Sequence, residues 1–215
     1  MNESGMKTCE KVIPADKLFN IESKLSAREG IGGSFDFPST DGTVLKVYPI
    51  LAAHNPHSRN MKLFSGTAMG PPSSFNEPTD KTRVTDWLEG RTISFLIDVV
   101  KKDEIVYRIF LQSSSASFPD GIPPQRLLDQ KKVDLAILGS ASFHYSENTY
   151  PCEYINKLSA TEVMFIHWED FFQRYDKETK SLRKQNLPRL MNEVLPKCRK
   201  DYILPVPGTV ITIRY

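Results

Sequence analysis

Cysteine is scarce in this chain. There are three in 215 residues, Cys9, Cys152 and Cys198, odd in number, far apart and without C-x-x-C spacing. That pattern predicts neither a disulfide framework nor a thiolate zinc knuckle, and it fits reduced thiols in the cytoplasm. Long hydrophobic runs are also lacking. No window approaches the roughly 18 apolar residues of a membrane span, and the opening "MNESGMKTCEKVIP" has no apolar segment of the signal-peptide kind. A cytoplasmic protein with no membrane partner is expected if Met1 is the natural start; a different start would leave room for a signal peptide. Charge of one sign is not concentrated either. The formal net charge is +2, and the basic residues are scattered apart from "KSLRKQNLPR" (180–189), so nucleic acid is not expected as a partner. Repeats and low-complexity tracts are absent, "SSSAS" (113–117) being too short to count.

The residues that are present suit a single domain over 1–215, with 40% apolar and 25% charged residues and enough length for one sizeable core. "DKLFNIESKL" (16–25) is a short amphipathic piece. "GIGGSFDFPSTDG" (30–42) has the composition of a loop, and "GIGGSF" lacks the lysine and the strand-to-helix setting of a phosphate-binding loop. "TVLKVYPILAA" (43–53) is β-branched and aromatic, hence a strand. Glycine and proline make 65–90 a long loop. "RTISFLIDVV" and "IVYRIFLQ", joined by "KKDE", predict a β-hairpin over 91–112. "SSSASFPDGIPP" (113–124) is irregular, and "PQRLLDQ" offers one or two helical turns. "VDLAILGS" (133–140), "PCEYINKL" (151–158) and "EVMFIHW" (162–168) predict strand, helix and strand, a β-α-β unit with parallel strands. "LPRLMNEVLPKC" (187–198) predicts a helix burying Leu187, Leu190, Met191, Val194 and Leu195, and "GTVITIRY" (208–215) a final strand.

Candidate chemistry centres on histidine. His54 and His167 each stand where a strand ends, and side chains at the carboxyl ends of strands converge on a shared pocket in sheet enzymes. His57 follows His54 across a proline, and His144 lies in a polar loop after "VDLAILGS". Both are further candidates, with loop stabilisation or simple exposure as the alternatives. Nucleophilic schemes are poorly supported. The serines at 113–117 lack a G-x-S-x-G elbow, and no cysteine sits in a histidine-containing signature, Cys152 reading as inert.

"VYPILAAHNPHS", "GRTISFLIDVV", "RIFLQSSSASFPDGIPP", "KKVDLAILGSASF" and "VMFIHWEDFF", in this order, resemble the C-terminal half of the metallo-β-lactamase superfamily, in particular its metal-dependent hydrolases with a terminal H-W-x-D-F signature. The resemblance runs from about residue 43 to 175; residues 1–42 and 176–215, the latter holding the C-terminal helix and strand, fall outside it. It implies an α/β fold of the four-layer αββα sandwich type, incomplete in its first half. It implies His54 and His167 as metal ligands, with His57 and His144 in reserve, and leaves Glu169 and Asp170, next to His167, to orient its ring or to line the pocket. The metal would be zinc, or another divalent ion such as iron or manganese, and metal-bound hydroxide would hydrolyse an ester, amide or phosphodiester in a small-molecule substrate.

Two departures weigh against that activity. The family's H-x-H-x-D-H motif is absent, and Ser113 occupies the position of the metal-bridging aspartate. A neutral hydroxyl cannot hold two cations together, and Asp120 lies beyond a proline. The alternative expectation is a non-catalytic or truncated interaction module. In either case the inner face of the 91–112 hairpin needs cover. Residues 1–53 would supply a reduced first sheet, or another chain would, through homo-oligomer formation or a separately encoded N-terminal half.

Overall fold

The computed structural model describes residues 6, 9–10, 12–27, 30–56, 61–62, 65–66, 88, 90–146, 149–174, 176–183, 185–198 and 200–213. The 65–90 loop expected from glycine and proline lies mostly outside them, as does His57.

Alternating apolar residues build one mixed sheet of six strands in sequence order. These are β1 (Phe35–Pro38), β2 (Thr43–Leu51), β3 (Ile93–Lys101), β4 (Glu104–Gln112), β5 (Leu135–Gly139) and β6 (Glu162–Ile166). β1 to β4 pair antiparallel and β4 to β6 parallel. The expected hairpin is β3–β4. Its turn residues Lys102 and Asp103 both have positive φ (51° and 62°), the backbone sense of a two-residue turn that matches strand twist. The expected parallel unit is β5–α2–β6, where α2 is Cys152–Leu158 and a shorter α1 spans Gln125–Leu128.

Only one face of the sheet carries the main core. Ile50, Leu96, Phe110, Leu138 and Phe165 pack against Tyr154, Ile155 and Leu158 of α2 and against Leu190, Val194 and Leu195. Buried in the same face is an ion pair. Asp98 accepts two bonds from Arg108, from Nε at 2.6 Å and Nη2 at 2.8 Å. Arg108 Nη1 donates to the carbonyl oxygens of Leu127 and Lys131. All of these guanidinium bonds are to protein acceptors, the condition under which a charge can be buried.

Several expectations are corrected. The stretch 30–42 is not all loop, because Phe35 and Phe37 alternate with Asp36 and pair with β2 at Val47 and Leu45. Residues 35–51 therefore extend the same sheet and do not build a separate first one. The 187–198 segment buries the expected apolar stripe but is not one α-helix. α3 (Leu187–Arg189) passes into a π-helical turn, Leu190–Val194, and a 3-10 turn, Leu195–Cys198. Pro196 has no N–H to give an α-helical bond, so the ladder changes pitch around it. No strand forms over 208–213. The free edge of β6 is taken by Ile203, which bonds to Val163 and Phe165.

Cys152 and Cys198 are not free thiols but form a disulfide, with Cα atoms 4.7 Å apart and a sequence separation of 46. It ties α2 to the 3-10 turn that packs beside it, and spacing alone hides that proximity. Among the described residues, no helix is long and apolar enough to cross a membrane.

Candidate functional site

β2 and β4 both run antiparallel to β3, and β5 and β6 run parallel to β4. Their carboxyl ends therefore meet at one edge of the sheet. His54 follows β2, Ser113 follows β4, His144 follows β5 and His167 follows β6, so the fold delivers four of the expected positions to this edge.

It brings two of them together. His167 Nδ1 lies 3.3 Å from the Ser113 carbonyl oxygen, and His54 Nδ1 lies 2.6 Å from the carbonyl oxygen of Asn55. A carbonyl oxygen only accepts, so Nδ1 is the donor in both contacts. His167 adopts φ 58°, a left-handed backbone that costs a non-glycine residue energy and redirects the chain after β6. Its ring rests on Phe171, centroid to centroid 5.2 Å, and Phe171 on Phe172 at 4.5 Å. His144 stands apart, exposed, with its ring 4.1 Å from that of Tyr145.

Glu169 and Asp170 do not orient His167. Glu169 Oε2 accepts from the Trp168 amide at 3.1 Å and Asp170 Oδ1 from the Phe172 amide at 3.1 Å. The positive φ of His167 turns this segment toward 180–182. There Asp170 N–H donates to Lys180 and Leu182 N–H to Trp168, both at main-chain oxygens. The two carboxylates line a surface cavity of about 270 Å³ with Arg174, Lys177 and Lys180.

The residues that hold the edge together were missed in the sequence. Asn55 is buried at 2% exposure. Its amide nitrogen donates to Ser115 Oγ (3.0 Å), Ser146 Oγ (2.8 Å) and the Ser142 carbonyl (3.1 Å), joining the loops after β2, β4 and β5. Ser140 Oγ donates to the Ile166 carbonyl at 3.1 Å and accepts from Gln185 Nε2 at 2.9 Å, joining β5, β6 and the 185 segment. The available signals were the asparagine inside "HNPHS" and the run "SSSAS", which as a cluster of short hydroxyls suits loop bonding better than nucleophilic attack. Below them, Tyr150 donates its hydroxyl proton to the Gly139 carbonyl at 2.5 Å. Burial holds that phenol well above the ordinary tyrosine range, so it stays a donor.

A catalytic zinc takes about three protein ligands and an open position. Among the described residues, no group of three or more histidine, cysteine, aspartate or glutamate side chains is placed to hold a metal ion. The described donor set at this edge thus falls short of the about three protein ligands that a catalytic zinc takes.

No protein family, no curated protein and no solved structure matches the chain.

Proposed function

We propose that the chain is a metallo-β-lactamase-like interaction module that does not carry out metal-dependent hydrolysis by itself. The observation that carries this reading is how the polar groups at the carboxyl edge are used. Asn55, Ser115, Ser140 and Ser146 bond loop to loop, Glu169 and Asp170 bond to backbone, and both imidazole Nδ1 atoms face carbonyl oxygens. Family resemblance is supported by the order of the five segments and by His167 following β6 directly, where the resemblance calls for the last ligand.

A second reading has one observation in its favour. An imidazole whose Nδ1–H is turned to a carbonyl presents Nε2 in the form that binds a divalent metal. Hydrolysis of an ester, amide or phosphodiester would then need ligands beyond His54 and His167, from outside the described residues or from another chain.

Calorimetric zinc titration of the metal-free chain and of His167→Ala separates the two. The module reading expects weak zinc binding that is the same for both proteins. Tight, stoichiometric binding that is lost in His167→Ala while the circular dichroism spectrum is retained would sustain the hydrolase reading instead.

A further inference from the structure

The Cys152–Cys198 disulfide joins two elements of the layer that covers the core. Cys152 opens α2, and Cys198 ends the 3-10 turn packed beside it. The two elements differ in what else holds them.

α2 is fastened to the sheet without the disulfide. Tyr154, Ile155 and Leu158 are buried in the core. The Tyr154 hydroxyl donates to the Asp120 carbonyl, and Tyr150, just ahead of the helix, donates to that of Gly139. Residues 187–198 are built differently. They are three short pieces, the α-helical α3, a π-helical turn and a 3-10 turn of three, five and four residues, and helical pieces of this length do not hold their shape alone. Leu190, Val194 and Leu195 pack them onto the core. Main-chain bonds pin the chain on either side, from Leu182 to Trp168 and from Ile203 to Val163 and Phe165. Between those fixed points the disulfide is the covalent tie to α2.

The two sulfurs are unequally placed. Cys198 is buried, at 6% exposure, whereas Cys152 is partly exposed. Thiol–disulfide exchange depends on access, so an incoming thiolate meets Cys152. Attack at Cys152 Sγ breaks the S–S bond, and Cys198 leaves as a thiolate that takes up a proton. The second thiol of a dithiol reductant then attacks the mixed disulfide, and Cys152 leaves as the other thiol. Two electrons and two protons have passed to the protein, and the reductant carries the new disulfide.

We propose that the Cys152–Cys198 bond is a redox clasp: a dithiol reductant opens it and frees residues 187–198 from α2, while α2 and the six-stranded sheet stay folded. The open form presents the apolar stripe of Leu190, Val194 and Leu195. Oxidising surroundings keep the clasp shut and reducing ones open it. The proposal goes beyond the interaction-module reading and does not depend on it, since metal binding tests that reading and hydrogen exchange on reduction tests this one.

Hydrogen-exchange mass spectrometry reads the outcome on the full chain, purified without reductant, equilibrated in air, and compared before and after excess dithiothreitol. Before reduction only the thiol of Cys9 is expected to titrate, and reduction is expected to add two hydrogens to the intact mass. Amides of 187–198 are then expected to exchange on the order of tenfold faster, with those of 154–158 and of the β3–β4 hairpin unchanged. The double variant Cys152→Ser with Cys198→Ser is expected to exchange like the reduced wild type whether or not dithiothreitol is present. Should that variant fail to fold, the reduced wild type decides. Titration of all three cysteines in the air-equilibrated protein overturns the proposal, as does exchange in 187–198 that is indifferent to reduction. Loss of protection in the sheet together with the segment also overturns it, by making the bond a staple of the whole fold.

Discussion

Replacing Asp98 with alanine is expected to destabilise the fold by about 3–5 kcal/mol, the cost of leaving a buried charge without its partner. Arg108 is fully buried, and two of its bonds go to the Asp98 carboxylate on the adjacent strand. Without that carboxylate, the guanidinium keeps only the Leu127 and Lys131 carbonyls, which carry no full charge to offset its own. Those carbonyls belong to the connection between β4 and β5, so the loss acts on the antiparallel and the parallel parts of the sheet together. The midpoint of urea unfolding, followed by circular dichroism, measures the effect. Changing both residues, Asp98→Leu with Arg108→Met, is expected to restore most of the stability, because an apolar pair of similar volume avoids desolvating two ions. A single variant that unfolds within about 0.5 kcal/mol of the wild type, the range of an ordinary surface change, would show that the pair does not hold this face.

Gly139→Ala is the second large effect and acts on the histidine edge. A Cβ at Gly139 would lie 2.0 Å from the Ser113 carbonyl oxygen and 2.4 Å from its carbon. Both are backbone atoms that cannot rotate away, so β4's exit must move. Overpacking of this kind costs about 1–3 kcal/mol and more when backbone is displaced. The Ser113 carbonyl is also the partner of His167 Nδ1, so the variant is expected to change the His167 imidazole NMR signals while leaving those of exposed His144 in place. Unchanged His167 signals would separate that ring from the Ser113 carbonyl.

Much of this architecture was legible because it rests on local pattern. The β3–β4 hairpin follows from two alternating apolar runs around "KKDE", and the parallel unit from two apolar runs around a proline-led helix. The placing of His54 and His167 at one edge of the sheet follows from their positions after β2 and β6. What was not legible depends on pairing partners and on chain direction. β1 is only four residues long, and its phenylalanines read as a strand only once β2 lies beside them. The Cys152–Cys198 bond joins segments 46 positions apart, brought together by packing and not by any motif. No strand forms over 208–213, and it is Ile203 that takes the β6 edge, which no feature of "GTVITIRY" announces.

The candidate site divides along the same line. Glu169 and Asp170 neighbour His167 in sequence, yet its left-handed backbone leaves their carboxylates bonded to main-chain amides. Its actual partner, the Ser113 carbonyl, comes from a residue considered only for its side chain. Asn55 escaped notice because an asparagine beside two histidines and a proline has the composition of a turn, while its function is to bond three loops at once.

The most direct test of the central claim is the metal content of the purified 215-residue protein, measured by elemental mass spectrometry before and after dialysis against a mild chelator. The account predicts well under one zinc, iron or manganese per chain before dialysis and none held through it. One or two ions per chain that survive the chelator would contradict it, and would mean that residues beyond His54 and His167 complete a metal centre at the carboxyl edge of the sheet.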